Sequence, residues 1–271
     1  MIRAAILGSP ISHSLSPILH RRSYEILGIS GSYEAIKVEP SRLASFLDSL
    51  DADWTGFSLT MPLKEEILKI AEVIEPLAVS INSANTLIRV GERWKALSTD
   101  VNGFSAALRA HEVIGYSSVG ILGAGATARA AARAVDGRGR EIFIWQRRSD
   151  HSKIREEEMR QAAPKGALHF LEWGAEIPSL DLLINTTPRG VADDLAAQIG
   201  RHVSSVLFEA LYNPWPTSLL ERWRERGLVA IDGLDLLVHQ GIDQVALMTG
   251  QQIIRDEMAP ILRAACLTAL L

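Results

Sequence analysis

The stretch SSVGILGAGATARAAARAV, from Ser117 to Val135, decides the fold of the second half of the chain. Its beginning is small and apolar, as in a buried strand, and its end has the alanine-rich composition of a helix. Between them, Gly123 to Ala128 form a Gly-x-Gly-x-x-Ala turn, whose glycines permit close approach of the backbone to a pyrophosphate at the helix N-terminus. The pattern predicts a dinucleotide-binding unit, with a plain glycine turn as the alternative.

The end of the next predicted strand indicates which dinucleotide is bound. Glu141 to Trp145 form that strand, and Arg147 and Arg148 follow it closely. An NAD site usually has an acidic residue there for the ribose 2′-hydroxyl, whereas arginines suit a 2′-phosphate. We therefore expect NADP, with NAD less favoured; Asp150, slightly further along, is the argument for NAD.

Strands and helices alternate on both sides of this stretch, which predicts an α/β protein. We expect two domains. Residues 101–237 form a Rossmann-type dinucleotide-binding domain, and residues 1–100 form a separate N-terminal α/β domain, the candidate substrate domain once the resemblance described below is considered. Two helices follow the last predicted strand, and we expect residues 238–271 to pack back on the first domain.

The composition excludes several classes of protein. A net charge of −4 without a basic stripe argues against a nucleic-acid partner, and no apolar run is long enough to span a membrane. The single cysteine, Cys266, excludes an internal disulfide and lies in an apolar helical pattern, which favours a core thiol over a nucleophile. We expect a cytoplasmic enzyme without a metal site.

Lys64 occupies an unusual place in the first domain. Gly56 to Leu59 reads as a short buried strand, Pro62 ends it, and Leu63 to Ile70 has helical spacing. Lys64 therefore lies at the carboxyl end of a strand, where α/β proteins bind ligands, and it is a candidate general acid or base. The alternative is a solvated surface lysine. Asp100, at the end of another strand, is either its partner or the N-cap of the next helix.

A loop rich in hydroxyl groups follows the first strand. In it, Ser16 precedes Pro17 and is predicted to be the N-cap of a helix that continues to about Leu27. Hydroxyls and free N–H groups at a helix N-terminus also bind anions, so Ser14 and Ser16 either bind a carboxylate or phosphate or only cap the helix.

At this point the chain resembles the shikimate dehydrogenase family, nearly from end to end. Each matching motif is weak alone, but their common order makes chance agreement improbable. They are Gly8 to Pro17, Thr60 to Lys64, Ser83 to Thr86, Thr99 to Phe104, Gly123 to Arg129, Asn185 to Gly190, Tyr212 to Pro214 with Thr217, and Gly233 with Gln240-Gly241.

The resemblance implies an NADP-linked oxidoreductase that interconverts 3-dehydroshikimate and shikimate in aromatic amino-acid (chorismate) biosynthesis, as a monomer or homodimer. Lys64 and Asp100 would be the catalytic pair. The implied substrate-binding residues are Ser14, Ser16 and Tyr212 at the carboxylate, and Thr60, Asn85 and Gln240 at the ring hydroxyls. The implied cofactor-binding residues are Gly123, Gly125, Ala126, Arg147, Arg148, Thr187 and Gly233.

Two alternatives stay open within this resemblance. One is a quinate/shikimate dehydrogenase that uses NAD. The other is a non-catalytic sensor of shikimate-like ligands, whose signature would be loss of Lys64 or Asp100, both of which are present. The chain also departs from the common family pattern, with Ser58 in place of asparagine and Glu209 in place of aspartate.

Overall fold

The structure, a computed structural model, describes residues 1–147, 150–198 and 205–271, with the backbone alone for residues 196–198. The chain divides into two compact units. The first comprises Met1–Gly103 and Leu237–Leu271, and the second comprises Phe104–Leu236. Within the described ranges, no helix is both long enough and apolar enough to cross a membrane.

The first unit contains a mixed six-stranded sheet in the order β2-β1-β3-β5-β6-β4. Its strands are β1 (Ile2–Gly8), β2 (Gly31–Lys37), β3 (Gly56–Leu59), β4 (Val73–Ile74), β5 (Thr86–Val90) and β6 (Arg93–Leu97). β1 pairs in parallel with β2 and β3, whereas β5 is antiparallel to both β3 and β6. The carboxyl end of β3 therefore lies beside the beginning of β5, which brings two of the predicted site motifs together.

Short helices connect these strands. They are α1 (Ser16–Leu27), α2 (Leu43–Asp48), α3 (Leu63–Glu66), α4 (Pro76–Ser80) and the start of α5 (Asp100–Ala110). The single helix expected over Leu63 to Ile70 is wrong, because the chain tightens to a 3₁₀ turn at Ile67–Lys69. The core below the sheet is aromatic: Phe57 packs on Trp54 and Trp94 at ring-centroid distances of 4.9 and 5.4 Å.

The second unit contains six parallel strands in the order β12-β11-β10-β7-β8-β9. The strands are β7 (Ser118–Leu122), β8 (Glu141–Gln146), β9 (Ala167–Glu172), β10 (Leu182–Asn185), β11 (Val206–Glu209) and β12 (Ala230–Ile231). The helices are α6 (Ala126–Val135), α7 (Ser152–Ala162), α8 (Asp193–Gln198) and α9 (Ser218–Glu225). This is the doubly wound strand order, so the predicted Rossmann-type unit is confirmed.

The chain ends in two long helices, α10 (Gly233–Thr249) and α11 (Arg255–Leu270). From Leu237 onwards they belong to the first unit, where α11 packs on α1. The prediction that the C-terminal helices return to the first unit is therefore confirmed. Cys266 is fully buried in α11, and burial raises the pKa of its thiol to about 12, which agrees with a core role.

Candidate active site

Lys64 and Asp100 form a close ion pair in the first unit. The Lys64 ammonium donates a hydrogen bond of 2.7 Å to Asp100 Oδ2, and the two side chains are only 15% and 6% exposed. Among the described residues Asp100 is the one hydrogen-bond partner of the ammonium, so its other two N–H groups can reach a ligand. The surface-lysine alternative is therefore wrong. Asp100 is the first residue of α5 rather than its N-cap, and its carboxylate faces Lys64.

Asn85 connects Asp100 to the sheet. Its Oδ1 accepts the backbone N–H of Thr99 at 2.8 Å, and since a backbone N–H only donates, this contact identifies the oxygen end of the carboxamide. Its Nδ2 therefore faces Asp100 Oδ1, Thr99 Oγ1 and Gln240 Oε1, at 2.8, 2.9 and 3.0 Å. Within the described ranges, each oxygen of the Asp100 carboxylate thus has one donor, Asn85 for Oδ1 and Lys64 for Oδ2.

The backbone of Asn85 is held as firmly as its side chain. Its N–H donates to Leu97 O at 3.1 Å, and its carbonyl accepts from Leu59 N at 2.8 Å. The neighbouring Ala84 N–H donates to Lys64 O at 2.9 Å, which ties the first turn of α3 to the same segment. The sheet therefore sets the relative positions of Lys64 and its partners.

Gln240 reaches this cluster from α10. Its Oε1 accepts from Asn85 at 3.0 Å, and its Nε2 donates to the carbonyl of Leu237 at 2.9 Å. The helix approaches closely because Gly103 has no side chain: a Cβ there would lie 2.7 Å from Gln240 Cβ. The glycine of the Thr99 to Phe104 motif is therefore required by packing against α10.

Ser14 and Ser16 lie together at the start of α1. The structure corrects the predicted N-cap: Leu15 is the cap residue, with φ −88° and ψ −4°, and Ser16 is the first residue of the helix. Ser14 Oγ accepts the N–H of Ser16 at 3.3 Å, so Ser14 supplies the capping oxygen. Within the described part of the chain, the hydroxyls of Ser14, Ser16 and Thr60 donate no hydrogen bond, which leaves three donors for a substrate.

In the second unit the glycine turn has the geometry of a pyrophosphate site. Gly123 has φ +106°, and a Cβ there would lie 2.9 Å from Thr186 Oγ1, so this position needs glycine for both conformation and space. At Gly125 a Cβ would meet no protein atom within 4 Å. Its missing side chain therefore leaves open space in front of α6, whose first residue is Ala126.

The end of β8 carries the residues expected to select the cofactor. Arg147 is exposed at that strand end, and Arg148 lies outside the described residues. Glu156, which the sequence motifs do not indicate, accepts a hydrogen bond of 2.8 Å from Gln146 Nε2. Glu156 lies in α7, ten residues after Gln146, so the sequence at the end of β8 contains no sign of this contact.

A second polar cluster surrounds Glu209 at the ends of β10 and β11. Its carboxylate accepts from Asn185 Nδ2 at 3.0 and 3.1 Å, from Leu211 N at 3.1 Å and from Thr217 Oγ1 at 2.8 Å. Burial raises the pKa of Glu209, and these donors oppose the rise. The cluster fixes both ends of the loop that carries Tyr212.

The other predicted cofactor residues lie beside this loop. Thr187 is buried, and its hydroxyl donates to Asn185 Oδ1 at 2.7 Å. A Cβ at Gly233 would lie 2.5 Å from the backbone of Leu211, so close packing against the loop requires glycine there. The structure thus gives Thr187 and Gly233 structural roles, whereas Tyr212 is half-buried in the same loop.

Hydrogen bonds join four of the predicted residues in the first unit into one cluster: Lys64, Asp100, Asn85 and Gln240. Ser14 and Ser16 form a separate pair, and Thr60 lies on the segment just before Lys64. Thr99 was not singled out from the sequence, although it bonds both Asn85 and Gln240. Its position directly before Asp100 in a matching motif was the available signal.

Comparison with known proteins identifies the family to which the chain is similar. A profile of the shikimate dehydrogenase substrate binding domain matches residues 6–87. The chain is 33% identical to the shikimate dehydrogenase (NADP(+)) of Thermosynechococcus vestitus over 277 residues, which cover 96% of this chain and 94% of that protein.

Two crystal structures are similar over nearly the whole chain. Mycobacterium tuberculosis shikimate dehydrogenase has a TM-score of 0.86 and 32% identity, covering 97% of this chain and 100% of that one. Shikimate 5-dehydrogenase from Thermus thermophilus, in complex with NADP(H) and shikimate, has a TM-score of 0.78 and 30% identity, covering 98% and 100%.

Proposed function

The chain belongs to the shikimate dehydrogenase family, and from this premise we propose that it interconverts 3-dehydroshikimate and shikimate with NADP(H). The enzyme is an oxidoreductase of aromatic amino-acid biosynthesis, and the relatives, which are named for NADP(+), do not favour the NAD alternative. The observation that carries the proposal is the buried pair of Lys64 and Asp100. Its retention also argues against a non-catalytic sensor.

Reduction of a ketone places negative charge on the carbonyl oxygen, and that oxygen must gain a proton. Lys64 can do both tasks, because its ammonium stabilises the developing charge and donates the proton. Asp100 holds the ammonium in place through the 2.7 Å hydrogen bond and keeps two N–H groups directed away from itself. In the reverse direction, the neutral amine of Lys64 accepts the proton from the alcohol of shikimate.

The substrate carboxylate is best matched by the serines at the start of α1. Ser14 and Ser16 offer two hydroxyl donors at the positive end of a 12-residue helix, a combination that favours an anion. Thr60 offers a further hydroxyl for the ring of the substrate. The family resemblance also assigns Tyr212 to the carboxylate.

The second unit fits a dinucleotide. Gly123 permits the tight turn, and the open space at Gly125 admits a pyrophosphate to the N–H groups at the start of α6. Arg147 and Arg148 are the proposed partners of the 2′-phosphate. NADPH, when bound, supplies the hydride, and the chain's contribution is to bind and orient it.

The decisive experiment measures initial rates with shikimate and quinate against NADP⁺ and NAD⁺. We expect shikimate with NADP⁺ to give the highest kcat/KM of the four combinations. A preference for quinate with NAD⁺ would replace the proposal with the sister activity. Binding of shikimate without turnover under any cofactor would support the sensor alternative.

A further inference from the structure

Gln244 lies one helical turn beyond Gln240 on α10 and is 1% exposed. Its Nε2 donates to Asn85 O at 2.9 Å and to Thr86 Oγ1 at 3.1 Å. Because a carbonyl can only accept, the Asn85 contact fixes which end of the Gln244 amide is nitrogen. Its Oε1 therefore faces the opposite side, where it accepts from Ser58 Oγ at 2.7 Å.

Beyond Ser58 the hydrogen bonds reach Tyr33 in β2, the edge strand of the sheet in the first unit. Ser58 accepts from the hydroxyl of Tyr33, and His20 Nε2 approaches Gln244 Oε1 at 3.4 Å. His20 also stacks on the Tyr33 ring at 3.9 Å. The amide oxygen of Gln244 thus has two contacts and its nitrogen has two, and all four partner residues are buried.

From Gln244 towards Asp100, each residue of the network donates a hydrogen bond to the next one. Since Gln244 donates to the Thr86 hydroxyl, Thr86 must direct its own proton elsewhere, and it donates to Asn85 Oδ1 at 2.9 Å. Asn85 Nδ2 then donates to Asp100 Oδ1 at 2.8 Å. An unbroken series of buried hydrogen bonds therefore joins Gln244 to the carboxylate that holds Lys64.

We propose that Gln244 is a positioning residue for the acid–base pair, which acts through the Thr86 hydroxyl on Asn85 and thereby on Asp100. The inference rests on the proposed function. Among the described residues, Gln244 bonds Asn85, Thr86, Ser58 and His20 and reaches neither member of the pair. Its effect on turnover is therefore indirect, through the orientation of the Asn85 carboxamide.

The sharpest test removes only the connecting hydroxyl. Thr86→Val keeps the shape of the side chain and breaks the link, whereas Thr86→Ser keeps the hydroxyl. Loss of one oriented hydrogen bond predicts that kcat falls about tenfold in Thr86→Val and in Gln244→Leu, with little change in the KM for shikimate. Thr86→Ser should retain most of the wild-type kcat.

Ser23→Ala is the matched control, because Ser23 is also a buried hydroxyl of the first unit and donates only to the carbonyl of Leu19 at 2.8 Å. It should leave kcat unchanged. An equal fall of kcat in Ser23→Ala, or equal losses in the valine and serine variants of Thr86, would overturn the inference and assign the effect to general loss of packing.

Crystal structures of the wild type and Thr86→Val test the positioning without turnover. The expected change is a turned Asn85 carboxamide and a distance from Asn85 Nδ2 to Asp100 Oδ1 that exceeds the present 2.8 Å. An unchanged distance would overturn the inference. If the wild type did not oxidise shikimate, the proposed function would fail, and this structural comparison would still decide whether Thr86 orients Asn85.

Discussion

Replacing Lys64 with methionine removes the ammonium and keeps most of the apolar stem. General acid–base catalysis typically contributes about 10²- to 10⁴-fold, and one oxyanion donor about 10²- to 10³-fold. Because Lys64 serves both roles through one group, the effects overlap, and we expect kcat to fall by at least about 10³-fold. Shikimate should still bind, since the proposed carboxylate contacts at Ser14 and Ser16 are untouched.

The same change leaves Asp100 with a single donor, Asn85, while its side chain is only 6% exposed. Breaking a buried ion pair from one side costs about 3–5 kcal/mol, and the 15% exposure of Lys64 favours the lower end. The double variant Lys64→Met with Asp100→Asn removes the unpaired charge, so it should recover stability without recovering turnover. This separates loss of chemistry from loss of folding.

The assay follows NADPH formation with shikimate, with calorimetric titration of shikimate for binding and urea unfolding for stability. Lys69→Met is the matched control, because Lys69 lies one turn further along, is 71% exposed and pairs with Glu66. It should change neither kcat nor binding. A kcat for Lys64→Met within tenfold of the wild type would refute the proton-donor role.

Three further predictions concern other parts of the chain. Arg147→Ala should reduce the ratio of kcat/KM with NADP⁺ to that with NAD⁺ by about tenfold or more, since hydrogen bonds to charged groups contribute about 1.5–3 kcal/mol. An unchanged ratio would exclude Arg147 from the 2′-phosphate site. Thr217→Ala should lower the free energy of unfolding by about 2–4 kcal/mol in thermal unfolding, because the hydroxyl both caps α9 by accepting from Leu220 N and donates to the buried Glu209 carboxylate; Thr217→Ser should retain most of it. Burial lowers the pKa of His20 from 6.5 to about 3. Below pH 6.5 the unfolded chain therefore binds a proton that the folded chain does not. The free energy of unfolding is thus highest above pH 6.5 and decreases as the pH falls towards 3. Urea unfolding should therefore show that the wild type loses about 2 kcal/mol more than His20→Gln between pH 7 and pH 5, whereas His151→Gln, at an exposed site, should behave as the wild type.

The second unit was predictable from sequence because most of its strands are apolar runs followed by a turn and a helix, although β9 leads to β10 without one. The helix α8 was not predicted, because its six residues begin with two aspartates and lack an apolar period. In the first unit the errors lie at boundaries. Ser16 has the residue type of an N-cap, but Ser14 supplies the oxygen because the chain already enters helical geometry at Leu15.

The candidate site was predictable as residue types but not as a bonding pattern. Motif order placed Lys64 and Asp100 together, since both follow strands of one sheet. Gln244 was missed because its partners Ser58 and Asn85 lie 186 and 159 residues away. Its spacing of four from Gln240 was the one available signal, because residues at that spacing share a helix face.

Some polar groups of the first unit are already hydrogen-bonded to one another and others are not, and this difference limits how a substrate can be recognised. Asn85 and Gln240 are buried and already bonded to each other, so a ring hydroxyl reaches Asn85 only by sharing or replacing an inner hydrogen bond. Gln240 Nε2, in contrast, keeps one N–H that the described residues do not use. Lys64 keeps two N–H groups that the described residues do not use, and its ion pair fixes their direction. A buried network is stable only when its members are satisfied, so Asn85 is better suited to orient the acid–base pair, whereas Gln240 can also donate to a ligand. If the proposed function holds, the hydroxyls of Ser14, Ser16 and Thr60 are the groups that an extra substrate hydroxyl, as in quinate, would have to accommodate.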